Sequence, residues 1–282
     1  METKQDIRLV AFDLDGTTLQ RGNVLSDRNR QAIEKAVAAG VYAVPCTGRN
    51  KSFLPPCLKE LPCIRYAITS NGAAVWDLHE DRCICANLIS PETAAQVAHT
   101  AESFKVYTEF YVNGISVTQR GNPEKAESWF GFPPEKLFFT KKNYFYVDDL
   151  VRYALDGQVS VEKINFMYVP DAVRDDFYAA LRAIGGLEIS YSNVDNFELN
   201  AKNCDKGWGL RALCETLRVP STATMGIGDN GNDFGLLREA AFSVAVDNAI
   251  PEVKAMCDAV VSDYREDGFA EAVERFALNE ER

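Results

Sequence analysis

The stretch IRLVAFDLDGTTLQ, residues 7–20, sets an almost unbroken apolar run, Ile7 to Phe12, directly before two aspartates. A run that short and that apolar reads as a β-strand buried on both faces, as in a parallel sheet. In open α/β sheets the carboxyl ends of the strands are where ligands bind. Asp13 and Asp15 stand just past such an end at i and i+2, so both carboxylates can reach one site. Left alone they would repel, and one would take up a proton unless a cation lay between them. Magnesium is such a cation, held by one or two carboxylates, waters and phosphate oxygens. Asp-x-Asp-Gly is by itself also an ordinary turn, so the reading depends on the rest of the chain.

Outward from this strand, residues 27–39 have helical spacing through Ile33, Ala36 and Val37, with Gly40 as the stop. Val41 to Val44 and Tyr66 to Thr69 read as further strands, followed by Thr47-Gly48-Arg49 and Ser70-Asn71-Gly72. Between about 86 and 196 the pattern changes. A helix opens at Pro91, and strand-like runs at 106–112, 115–119, 143–147, 163–169 and 187–192 accompany a second helix at 171–183. Strands outnumber helices there, which predicts an α+β unit with its own sheet. From 197 the alternation returns, with helices at 205–217, 232–240, 250–257 and 268–277 and strands at 222–227, 242–246 and 259–261. The economical arrangement is one parallel α/β domain made from residues 1–85 and 197–282, interrupted by a second domain at 86–196.

The 282 residues include 30 Lys or Arg against 41 Asp or Glu, a net charge of −11. That balance argues against nucleic acid and anionic membranes as partners, since both require a basic footprint. No stretch approaches the ~20 apolar residues that span a bilayer, and the start, METKQDIRLVAFDLDG, has no signal-peptide pattern. The eight cysteines are too sparse for a disulfide scaffold and form no zinc-like pair of C-x-x-C motifs. A reduced, cytoplasmic protein is expected.

Three further segments make the bare turn a poor account of Asp13 and Asp15. Thr47-Gly48 follows the second strand and offers a hydroxyl and a backbone N–H to a phosphate. Lys206 opens the 205–217 helix, where an ammonium and N-terminal amides both favour an anion. Gly228-Asp229-Asn230-Gly231-Asn232-Asp233 stands at another strand's carboxyl end and supplies more carboxylates.

The order DxDGTT, TG, K, GDxxND resembles the haloacid dehalogenase superfamily over the whole chain. Ser70-Asn71-Gly72-Ala73 and the long insertion resemble its Cof-type phosphatases. So does VAVDNAIPEVKAMCDAVVSDYREDGFA from Val244, with Asp247 where glycine is more usual. The resemblance implies a Rossmann-like core, a C2B-type cap and a Mg2+-dependent phosphatase acting on a small phosphorylated metabolite. Carried over residue by residue, it makes Asp13 the nucleophile and Asp15 the acid/base. Asp13, Asp229 and the Asp15 backbone carbonyl would hold the metal. Thr47, Gly48, Lys206 and Asn232 would bind phosphate, and Asn71 and Asp233 would support the site. It leaves a monomer or a homodimer open.

Other readings are available. A sugar phosphomutase would use the same motifs, differing in whether water or a bound sugar attacks the aspartyl-phosphate. A non-catalytic phosphate-binding protein would have lost Asp13 or Asp15. Gly226-Ile227-Gly228-Asp229-Asn230-Gly231 matches the dinucleotide fingerprint G-x-G-x-x-G. A carboxylate at Asp229 would repel a pyrophosphate, however, and Asp13, Asp15 and Lys206 would go unexplained. Aromatics crowd residues 104–153, including Tyr107, Phe110, Tyr111, Trp129, Phe130, Phe132, Phe138, Phe139, Tyr144 and Tyr146. A small sheet-and-helix unit needs such side chains to bury enough area, so most are expected in its core.

Overall fold

The computed structural model describes residues 6–140, 143–191 and 195–280. In chain order, β1 (Leu9–Phe12), α1 (Asp27–Ala38), β2 (Tyr42–Pro45), α2 (Pro56–Lys59), β3 (Tyr66–Thr69), β4 (Ala74–Asp77) and β5 (Arg82–Ala86) come first. Then follow α3 (Pro91–Ser103), β6 (Glu109–Val112), β7 (Ile115–Gln119), β8 (Phe145–Val147), α4 (Leu150–Asp156), β9 (Lys163–Phe166), α5 (Asp171–Ile184), β10 (Leu187–Ser190) and β11 (Phe197–Ala201). The chain closes with α6 (Lys206–Leu217), β12 (Thr224–Gly228), α7 (Phe234–Glu239), β13 (Phe242–Val246), α8 (Pro251–Met256), β14 (Ala259–Val261) and α9 (Gly268–Ala272).

Two compact units result, Met1–Ala86 with Cys204–Arg282, and Asn87–Asn203. The first is built on a five-stranded parallel sheet in the order β14-β13-β12-β1-β2. β1 is interior, between β12 and β2, and buried throughout, as its sequence requires. Val10 and Phe12 face a core shared with Ile33, Ala36, Phe269 and Phe276, while Leu9 and Ala11 face Leu210, Leu213 and Leu236. Alternate residues of one strand therefore serve both apolar layers. Ser26 caps α1 by accepting from the Asn29 N–H, and Asn29, itself fully buried, donates to the Thr18 carbonyl at 2.9 Å and accepts from the Ala270 N–H at 3.1 Å. A side antiparallel sheet, β3-β4-β5, extends this unit. Its β5 edge, RCICA, is the strand-like run around Cys83 and Cys85, and it is largely exposed.

The second unit carries a six-stranded sheet in the order β10-β11-β9-β6-β7-β8, antiparallel except for the β7–β8 pair. Phe177 of α5 packs its ring against Phe104, Phe166 and Phe197. β11 pairs with β9 and β10, so this unit continues past residue 196, where the hydrophobic pattern ended it. The unpredicted α4 is capped by Asp149, which accepts from the Arg152 N–H at 2.9 Å. Tyr107, Phe110, Tyr111, Phe130 and Phe132 are buried, whereas Trp129, Phe138 and Tyr146 are exposed. The side chain of Phe139 lies outside the described residues.

Two predicted helices are broken. The run expected at 232–240 begins as a 3-10 turn, Gly231–Asp233, and only then becomes α7. The last helix passes from α9 into a π-helical turn at Val273–Ala277. Among the described residues, no helix is long and apolar enough to cross a membrane.

Candidate active site

Three neighbouring strands end together. Phe12 of β1 lies in register with Pro45 of β2 and Ile227 of β12. The residues that follow each strand therefore emerge side by side. The Asp13 N–H donates to the Ile227 carbonyl at 2.9 Å, carrying the ladder one residue past β1. The chain then turns back, with the N–H groups of Thr18 and Leu19 both reaching the Leu14 carbonyl. Gly16 sits at φ +85° in this turn, and a Cβ there would meet the Asp229 carboxylate. Glycine is needed for both the conformation and the space.

Lys206, the first residue of α6, occupies the middle of the site. Asp205 caps that helix, its Oδ1 accepting from the Trp208 N–H at 2.8 Å. The fully buried Lys206 ammonium donates to Asp13 Oδ1 at 2.5 Å and to Asp233 Oδ1 at 2.6 Å. Burial disfavours the charge, but the Asp13 and Asp233 carboxylates outweigh it and raise Lys206 above the usual lysine value. The other Asp233 oxygen accepts the N–H groups of Asp229 and Asn230 at 2.9 and 3.0 Å.

Asp13, Asp229 and Asp233 present oxygens that all lie within 4.8 Å of one another. Burial pushes the Asp13 carboxyl well above the usual carboxylate range; Lys206 opposes this, and Asp233 and Asp229 add to it. Burial, then the Asp233 charge, carries Asp229 up to about 6, although Thr17 Oγ1 donates to its Oδ1 at 2.8 Å. Three carboxylates thus face one ammonium, an excess of negative charge that a divalent cation would neutralise. The donors are hard oxygens, which suit a cation of the magnesium class. Asp233 already accepts three N–H donors, leaving Asp13 and Asp229 as the carboxylates with capacity to hold it. A pyrophosphate at the same loop would meet this negative charge directly, which disfavours the dinucleotide reading of GIGDNG.

The remaining motif residues lie around this centre. Thr47 is buried; its N–H donates to the Ile68 carbonyl and its own carbonyl accepts from the Asn71 N–H. Gly48 beside it is half-buried, as is Asn232 in the turn leading to Asp233. Asn71 is buried with φ +57°, and Gly72 follows at φ +97°. A Cβ on Gly72 would collide with the Asp205 carbonyl. This turn therefore sets the Thr47 loop directly against the start of α6. Asp15 stands apart from the trio: its side chain is 60% exposed and is ion-paired with Arg49.

Residues 10–273 match the family model of the haloacid dehalogenase-like hydrolases. The chain belongs to that family. It is 28% identical to the 5-amino-6-(5-phospho-D-ribitylamino)uracil phosphatase YcsE of Bacillus subtilis, over 97% of each chain. It is 25% identical to the pyridoxal phosphate phosphatase YbhA of Escherichia coli, over 94% of this chain and 97% of that one. Among solved structures, the HAD subclass IIB sugar phosphatase BT4131 superposes with a TM-score of 0.79 at 25% identity, covering 96% and 99% of the two chains.

Several residues that shape this hydrolase's site were given no role from sequence. Thr17 binds Asp229, and Thr18 Oγ1 donates to the Asp13 carbonyl at 2.7 Å. Their place right after Asp-x-Asp-Gly was the available signal. Asn248 donates to the Gly16 carbonyl at 2.8 Å and accepts from the Tyr264 N–H at 3.0 Å, buttressing the turn from a distant segment. It lies in the stretch from Val244 that carries the family resemblance, but its partner Gly16 is set only by the fold. Arg49 follows Thr47-Gly48 directly, yet its partner Asp15 is set only by the fold.

Proposed function

We propose that this hydrolase is a Mg2+-dependent phosphatase of small phosphorylated metabolites that works through an aspartyl-phosphate on Asp13. The observation that carries the reading is the buried Lys206 held between Asp13 and Asp233, with Asp229 beside them. It holds a nucleophilic carboxylate, a fixed cation and oxygen ligands together at the carboxyl ends of the strands. The activities of these two relatives support a phosphorylated metabolite, such as a sugar phosphate, nucleotide or cofactor phosphate.

In the first half-reaction an Asp13 oxygen forms a bond to phosphorus as the bond to the leaving oxygen breaks, and Asp15 gives that oxygen its proton. In the second, water attacks the aspartyl-phosphate, its proton passes to Asp15, and the Asp13–phosphorus bond breaks. Asp15 is thereby reset. Lys206, with Thr47, Gly48 and Asn232, offsets the charge that spreads over the phosphoryl oxygens. Asp13, Asp229 and the Asp15 carbonyl would hold Mg2+, which supplies further neutralisation of phosphoryl charge. Asn71 and Asp233 act by holding the Thr47 loop and Lys206.

The test is phosphate release from glucose 6-phosphate, glycerol 3-phosphate, AMP, pyridoxal 5′-phosphate and p-nitrophenyl phosphate, with Mg2+ and with EDTA. Mg2+-dependent release by the wild type, lost in Asp13→Asn, is expected. Release that survives in a folded Asp13→Asn protein would refute the nucleophile.

A further inference from the structure

Asp15 is exposed at the rim of the site, yet it is not loose. Both of its oxygens are engaged by one guanidinium: Arg49 Nη2 donates to Oδ1 at 2.5 Å and Nε donates to Oδ2 at 2.8 Å. The guanidinium is itself anchored on two other sides. Nη2 also donates to Asn23 Oδ1 at 2.6 Å, and Nη1 donates to the Phe53 carbonyl at 3.2 Å. The Arg49 side chain is only 22% exposed against 60% for Asp15. The arginine is therefore the fixed member of the pair and the carboxylate the one it holds.

An exposed ion pair of this kind contributes little to stability. Its planar two-point geometry does something a point charge cannot, because it fixes the plane of the carboxylate as well as its position. In the fork both oxygens accept, so the oxygen that carries the proton for the leaving group must first give up its N–H donor. For proton transfer, one of the two bonds must be exchanged while the other keeps the group aimed.

We propose that Arg49 is the positioning residue of Asp15, holding the carboxylate in a two-point fork from which one oxygen is released to the leaving group. The inference rests on the acid/base reading of Asp15 given above. Arg49 acts through Asp15 and needs no contact with substrate. Three consequences separate this role from a structural or substrate-binding one. Loss of Arg49 lowers kcat and leaves KM alone. It matters most for leaving groups that need a proton. It has no further effect once Asp15 can no longer transfer one.

The experiment is a double-mutant cycle of Arg49→Ala and Asp15→Asn. Steady-state kinetics use p-nitrophenyl phosphate and whichever alkyl phosphate of the panel above the wild type hydrolyses fastest, with circular dichroism to verify folding. Arg49→Ala should lower kcat on the alkyl phosphate by about tenfold or more, a fraction of the ~10²–10⁴ that acid–base catalysis supplies, with KM within about twofold. The loss on p-nitrophenyl phosphate should be smaller, since its leaving group departs as a stable anion. Arg49→Lys, keeping the charge and losing the fork, should resemble Arg49→Ala. In the Asp15→Asn background, Arg49→Ala should change nothing further.

Additive losses, a rise in KM with kcat unchanged, or no effect of Arg49→Ala would overturn the proposal. Failure of the underlying reading looks different: Asp15→Asn itself would keep wild-type rates, or the wild type would turn over neither substrate. An unfolded Arg49→Ala protein would transfer the same criteria to Arg49→Lys, where an additive loss again overturns the assignment.

Discussion

Replacing Asp229 by Asn tests the electrostatics of the site without relying on turnover. The carboxyl is raised from 3.8 to about 6, first by burial and then by the charge of Asp233. A group whose folded pKa lies above its unfolded value stabilises the fold fully below the unfolded value. That contribution is lost as the pH rises through the folded value. For Asp229 the window runs from about 4 to about 6. At about 1.4 kcal/mol per unit, this rise sets a ceiling of about 3 kcal/mol. The charge is shared with Asp13 and Asp233, so about 1–3 kcal/mol is the expected size. Asn keeps an oxygen to accept from Thr17 Oγ1 and removes only the charge. In EDTA, denaturant unfolding at pH 4 and at pH 7 should show the wild type losing about 1–3 kcal/mol relative to Asp229→Asn across that interval. Adding Mg2+ at pH 7 should stabilise the wild type more than the variant, because ion binding adds to folding free energy. Equal pH dependence of the two proteins in EDTA, or a variant less stable at pH 7, would refute the reasoning. Asp229 would then be satisfied by the protein alone.

Two further outcomes follow from the packing. Lys206→Ala leaves Asp13 and Asp233 buried without their counter-charge, so it should destabilise by about 3–5 kcal/mol and abolish turnover; a denaturation midpoint near wild type would contradict this. Gly72→Ala places a Cβ against the Asp205 carbonyl at φ +97°, so it should cost more than ~1 kcal/mol and lower kcat by moving Lys206. Unchanged stability and rate would show that the turn is not what seats α6.

How far the sequence reached can be judged at particular places. β1 was legible because a strand buried on both faces must be apolar without alternation, and no surface element looks like that. β11 was missed although FELNA alternates apolar and polar residues as a strand does; what the sequence does not show is that Glu198 and Asn200 are buried as well and that its partners β9 and β10 lie elsewhere along the chain. α4 was missed because seven residues are too few for a helical period to stand out, although its Asp149 cap was in view. The 232–240 segment was read as one helix because its apolar spacing is continuous. The break comes from Asp233, whose side chain is turned back to the N–H groups of Asp229 and Asn230.

The site divides in the same way. Asp13, Lys206, Asp229 and Asp233 could be named from sequence because each follows a strand or opens a helix, where backbone geometry presents side chains to ligands. Their meeting could not be computed from spacing: it depends on the register of β1 with β12, on the cap of α6 and on a turn at Gly72 that lets two backbones touch. Arg49 and Asn248 show the limit most clearly, since each acts on a residue far from it in the chain. The amino-acid sequence alone determined which groups have the chemistry for phosphoryl transfer, because acidity, charge and backbone freedom belong to residue types. Only the tertiary structure decided which carboxylate the ammonium neutralises and which the guanidinium holds, because burial and distance set those energies and neither exists until the chain has folded.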